Sequence, residues 1–89
     1  MKIKNYMEDL VIERINSLLE EHDYCKCFHC FNDMLAIALN ALPPRYFSTD
    51  KGELYTKVAT SRSESQISLT TAVTNAAKKV KENPRHDEN

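Results

Sequence analysis

Three cysteines fall within six residues, Cys25-Lys26-Cys27-Phe28-His29-Cys30, and their spacing suits metal ligation before it suits catalysis. Cys27 and Cys30 have the two-residue separation that lets a tight turn aim both sulfurs at one ion, as in many structural zinc sites, and Cys25 adds a third thiolate. All three are predicted to lie just before a helix N-terminus, whose unpaired N–H groups and partial positive charge favour thiolate over thiol. Zinc takes four ligands in a tetrahedral array, so three sulfurs leave one position to fill. The sequence offers His22, Asp23, His29, His86, a water or a residue of a second chain for it. His29 falls inside the turn and is expected to point outward, while His22 and Asp23 come shortly before Cys25. Two other readings stand beside structural zinc. In a redox cluster, Cys27 and Cys30 would be a reactive thiol and its resolving partner, although no strand-helix unit of thioredoxin type precedes them. Alternatively, the three are unligated small packing residues.

Conventional catalysis finds little to work with. There is no glycine-rich phosphate loop, no His-Glu-x-x-His pair and no serine nucleophile flanked by glycines, since Gly52 is the single glycine of the chain. Histidines at 22, 29 and 86 sit in no context that would assemble a triad. An ion held by three thiolates also carries net negative charge, which makes it a poorer activator of water than a histidine-rich site. The expectation is therefore a protein that is not an enzyme.

The elements around the cysteines must fit into 89 residues, which limits the chain to one domain with a modest core. With 42% hydrophobic residues and 12 basic against 13 acidic side chains, the composition is that of a folded globule. The net charge of −1 excludes tracking along a long nucleic acid better than it excludes a small anionic ligand. No apolar run approaches the length of a membrane span, and the first residues lack the apolar stretch of a secretory signal. The expected setting is the cytoplasm, where an odd cysteine count fits ligation better than a disulfide framework.

A capping box, Asn5-Tyr6-Met7-Glu8, predicts a first helix from Asn5 to about His22. Its apolar stripe is Met7, Leu10, Val11, Ile15, Leu18 and Leu19. A second helix is predicted from Asn32 or Asp33 and must stop by Leu42, because Pro43 disfavours helical geometry in the residue before it. Met34 to Leu39 are apolar on every side, the pattern of a helix enclosed all round. Asn40 then either satisfies carbonyls of its own helix end or faces a ligand or a dimer partner. Pro43 to Phe47 should be extended, followed by a turn in which Gly52 takes a positive φ or allows a close backbone approach. Residues 53–60 fit either helix or strand. The last helix should start at Ser61 or Ser63 and end near Glu82, burying Leu69, Val73, Ala76, Ala77 and Val80. The result is an all-α domain of three to four helices over residues 1–82, with the cysteine knuckle between the first two helices and a flexible tail at 83–89. So small a chain with so apolar a second helix also calls for extra covering surface, which predicts a homodimer.

Three ordered segments carry a resemblance. Lys4-Asn5-Tyr6-Met7-Glu8-Asp9-Leu10-Val11 comes first, then Cys25-x-Cys27-x-x-Cys30 with Asn32-Asp33-Met34-Leu35-Ala36-Ile37-Ala38-Leu39-Asn40, then Leu42-Pro43-Pro44-Arg45-Tyr46. This order is similar to that of the late competence development protein ComFB family, from the first helix through Tyr55-Thr56-Lys57. The resemblance implies a small all-helical dimer in the bacterial cytosol, with zinc held by Cys25, Cys27 and Cys30. It also implies a receptor for cyclic dinucleotide second messengers.

Such a ligand, cyclic di-GMP or cyclic di-AMP, calls for cations against its phosphates and planar side chains against its bases. Arg45 and Tyr46 supply both on the stiff proline segment, and Tyr55 with Lys57 offers a second set. A two-fold ligand would sit naturally across a two-fold dimer. Against this, Arg45 reads equally well as a surface cation lying over apolar neighbours, and Tyr46 as a half-buried aromatic. The other function class is a zinc-stabilised protein-protein interaction module linked to competence or motility, without a small ligand.

Overall fold

The computed structural model describes residues 2–83, so residues 84–89, most of the expected tail, lie outside the described residues. In chain order the elements are β1 (Lys4–Asn5), α1 (Tyr6–Glu21), α2 (Phe28–Ala41), β2 (Tyr46–Phe47), α3 (Asp50–Thr60) and α4 (Ser63–Glu82). The all-α expectation holds, with four helices among the described residues and one antiparallel two-residue ladder that pairs Lys4 with Phe47 and Asn5 with Tyr46.

Asn5 does two jobs in that ladder. Its side-chain oxygen caps α1 by accepting from the Met7 N–H at 3.2 Å, and it also accepts from the Arg45 N–H at 2.8 Å. The Tyr6 N–H donates to the Arg45 carbonyl at 2.7 Å, so three backbone N–H groups and one carbonyl are satisfied where the proline segment meets the first helix.

The core is built where α1, α2 and α4 meet. Met7, Val11, Ile15 and Leu19 form the buried stripe of α1, with Leu10 and Leu18 partly buried beside it. From α4 come Leu69, Ala72, Val73, Ala76, Ala77 and Val80. Ala76 and Ala77 are both fully buried, and their small side chains let α4 lie close against Met34, Ala38 and Cys30 of α2. Arg14 reaches from α1 across to Gln66 and Thr70 of α4. Gln66 in turn donates to the Thr60 carbonyl at 2.9 Å, which fixes the turn between α3 and α4.

Three expectations are corrected. The second helix begins at Phe28, four residues before Asn32, because the Cys27 sulfur serves as its cap by accepting from the Cys30 N–H at 3.4 Å. Asn32 is inside the helix and returns its amide to the Phe28 carbonyl at 2.8 Å. Nor is this helix enclosed all round: within one chain Ala36 and Asn40 are exposed, and Leu35, Ile37 and Leu39 are only partly buried. The third is the expected turn: α3 already begins at Asp50, so Gly52 lies in its first turn without a positive φ, and of its two alternatives the close backbone approach is the one that holds. The Gly52 N–H donates to the cap hydroxyl of Thr49 at 3.0 Å, and an added Cβ would come within 3.1 Å of that oxygen and 3.4 Å of the Phe47 Cβ. Close approach is what glycine provides here. The last helix runs from Ser63 to Glu82 as expected, although Arg62 is its cap residue and no side-chain cap bond forms.

Residues 53–60, open between helix and strand, are helical, and their polarity is inverted. Thr56 and Thr60 face inward, while Leu54, Tyr55 and Val58 are 65%, 77% and 57% exposed. The Thr60 hydroxyl can be buried because it donates to the Thr56 carbonyl at 2.8 Å. Among the described residues no helix is long and apolar enough to cross a membrane.

Candidate metal centre

After α1 the chain turns out of helical geometry. The His22 N–H closes the helix on the Leu18 carbonyl at 2.9 Å, and the Tyr24 N–H bonds the His22 carbonyl at 3.1 Å. This short link delivers Cys25 to the N-terminus of α2. Cys27 is the cap residue there, and Cys30 lies inside the first turn. The one-turn offset of Cys27 and Cys30 brings their sulfurs to the same side of the helix start.

The three sulfurs all lie within 4.8 Å of one another. Zinc–sulfur bonds of about 2.3 Å in a tetrahedron place sulfurs roughly 3.8 Å apart, so adjustments of about an ångström would close the three onto one ion. Burial is graded across the site, with Cys25 exposed, Cys27 half-buried and Cys30 wholly buried. All three are thiols rather than disulfides.

The helix start divides the thiols electrostatically. Cys27 is held below the usual thiol range, chiefly by the hydrogen bond from the Cys30 N–H, with the Cys25 and Cys30 side chains and the His29 N–H adding to it. Cys30 is pushed up to about 12, first by burial and then by the neighbouring thiols. A coordinated cation reverses that second effect, because a ligating thiol gives up its proton to the metal. The donor set, soft sulfurs grouped at a positive helix end, fits a thiophilic ion such as zinc.

Among the described residues no histidine or carboxylate joins the three sulfurs at this range. The His22 ring meets Tyr24 edge-on at 6.2 Å, and the His29 ring meets Phe28 edge-on at 5.8 Å. His86 lies outside the described residues. Asp23 borders a cavity of 160 Å³ together with Tyr24, Cys25, Cys30 and Lys81.

The residues considered for a nucleotide are distributed unevenly. Arg45 and Tyr46 are exposed at the end of the proline segment, with Phe47 turned into the protein by strand alternation. Tyr55 and Lys57, the second set, lie on different sides of α3. Two residues on a helix project about 200° apart: Tyr55 is exposed, and Lys57 lines a 420 Å³ cleft with Tyr6, Glu13, Arg14 and Ser17. Arg14, the other cation of that cleft, escaped the sequence reading. Its place beside the apolar stripe of α1 gave only the signal of an ordinary solvent-facing charge.

The chain matches the family described as late competence development protein ComFB over residues 4–84. Among solved structures it is similar to the late competence protein ComFB from Bacillus subtilis, with a TM-score of 0.77 and 26% identity over 99% of this chain and 100% of that one. No curated protein matches the chain.

Proposed function

This chain belongs to the late competence development protein ComFB family, and from that premise we propose that it is a non-enzymatic regulatory protein of the bacterial cytoplasm. In this reading zinc held by Cys25, Cys27 and Cys30 stabilises a homodimer that senses a cyclic dinucleotide. The observation that carries the zinc reading is the approach of three sulfurs to within 4.8 Å at a helix N-terminus. The bound ion would supply structural cross-linking of the loop to α2 and no activated water, since thiolates already offset its charge.

In this reading recognition falls to residues away from the metal. Arg45 offers a cation for phosphate, and Tyr46, 61% exposed, a planar face for a base. Their backbone is held by Asn5 and Tyr6, so little ordering is required when a ligand arrives. Lys57 and Tyr55 would contribute from the two sides of α3. Calorimetric titration with cyclic di-GMP and cyclic di-AMP tests this reading: saturable heat, lost in Arg45→Ala, is the expected result.

The second reading, an interaction module without a small ligand, is favoured by a different observation. Leu54, Tyr55 and Val58 give α3 an outward apolar face, the kind of surface that marks a protein contact. Flat titrations with both dinucleotides, on protein that is folded and zinc-loaded, would leave this second reading in place of the first.

A further inference from the structure

The zinc reading leaves a charge to be balanced. A divalent ion on three thiolates carries a net charge of about −1, and a carboxylate in the fourth position would make it about −2. Taking such a charge partly out of water is costly without a counter-charge close by. Cys30 is wholly buried, so solvent cannot reach that side of the site.

One cation from elsewhere in the fold borders the same space. Lys81, in the last turn of α4, lines the 160 Å³ cavity that Cys25, Cys30 and Asp23 also line. Its ammonium lies 5.6 Å from the centre of the Tyr24 ring, and Tyr24 immediately precedes Cys25. The Tyr24 face draws the Lys81 ammonium toward the cysteine loop. Lys79 belongs to the opposite side of α4, where it lines a groove with Ile37 and Asn83.

We propose that Lys81 is a positioning residue of the cysteine metal centre, its ammonium held over Tyr24 as the counter-charge to the metal-thiolate cluster. The inference rests on the zinc reading above and adds a residue 51 positions beyond the last cysteine. It also gives Tyr24 a role: the ring orients the cation and does not itself touch the metal.

The test is zinc affinity, measured by competition with a chromophoric chelator, on the full chain and three variants. Lys81→Met should bind zinc about 10- to 100-fold more weakly, the range for residues that support a ligand shell. Lys81→Arg, which keeps the charge, should stay within about 3-fold of wild type, and so should Lys79→Met, which removes an equal charge from the other side of α4. Because Lys81 is exposed, the gap between wild type and Lys81→Met should narrow at about 1 M salt, where the screening length falls to about 3 Å. A packing role would not give that salt dependence. Circular dichroism establishes that each variant is folded before affinities are compared. Wild-type affinity in Lys81→Met, or an equal loss in Lys79→Met, overturns this inference while leaving zinc in place. A wild-type chain that takes up no zinc overturns both.

Discussion

Cys30 belongs to two structures at once. It is wholly buried against Met34 and Val80 in the main core, and its sulfur is one of three gathered at the start of α2. Cys25, at the exposed end of the same cluster, has no such second role. The two therefore respond differently to replacement. Protein purified without added metal should carry about one zinc per chain, and either Cys25→Ser or Cys30→Ser should reduce this severalfold, because a tetrahedral site does not tolerate loss of a thiolate well. In metal-free protein the responses should separate. Cys30→Ser places a hydroxyl in an apolar core and should cost about 1–3 kcal/mol, whereas Cys25→Ser should leave denaturant stability unchanged. Metal analysis paired with urea unfolding reads both, and equal losses in the metal-free variants would refute the dual role of Cys30. The cysteine cluster itself was legible from spacing alone. Its electrostatic setting was not, since Lys81 reaches the loop from the far end of the chain and no local pattern announces a contact between α4 and Tyr24.

Among the elements, α2 and α4 define how close the helices come. Ala76 and Ala77 are fully buried opposite Met34 and Ala38, so this contact depends on the absence of side-chain volume. Ala76→Leu should lower stability by about 1–3 kcal/mol through overpacking, and Ala76→Ser, nearly the same size, by less. A larger loss in Ala76→Ser would mean that polarity governs the site. The stripes of α1 and α4 could be read directly from their sequence period, because both helices bury one face and expose the other. The start of α2 could not, since cysteine is not among the usual helix caps and only the folded chain shows the Cys27 sulfur accepting from Cys30. The third helix was harder still. Its buried face is Thr56 and Thr60 and its exposed face is Leu54, Tyr55 and Val58, so hydropathy alone points to the wrong side. Thr60 can face inward because its hydroxyl bonds its own helix backbone, a device visible only after the helix exists.

At the scale of the whole molecule, these inverted and half-covered faces bear on how many chains work together. The radius of gyration is 14.0 Å, against about 12 Å expected for a compact domain of this length. The smallest dimension is 20 Å, about the thickness of two helix layers. One chain of this shape leaves much apolar surface uncovered: Ile3, Phe28 and Tyr46 are exposed, and so are Leu54, Tyr55 and Val58 on α3, which share one face, and Ile67 on α4. A second copy placed on this face would bury what the single chain cannot, and a two-fold arrangement would bring two copies of α3 toward each other. It would also duplicate Lys57 and Arg45, which a two-fold symmetric ligand requires. Sedimentation at micromolar concentration should accordingly show a species of twice the 10.3 kDa chain mass. Val58→Glu, which sets like charges against each other across such an interface, should shift the population to monomer by about tenfold or more in dissociation constant. Because Val58 is exposed within one chain, that substitution should leave helical content and zinc uptake unchanged. A wild-type chain that sediments only at its own mass would rule out the dimer. Unchanged association in Val58→Glu would instead exclude α3 as its interface.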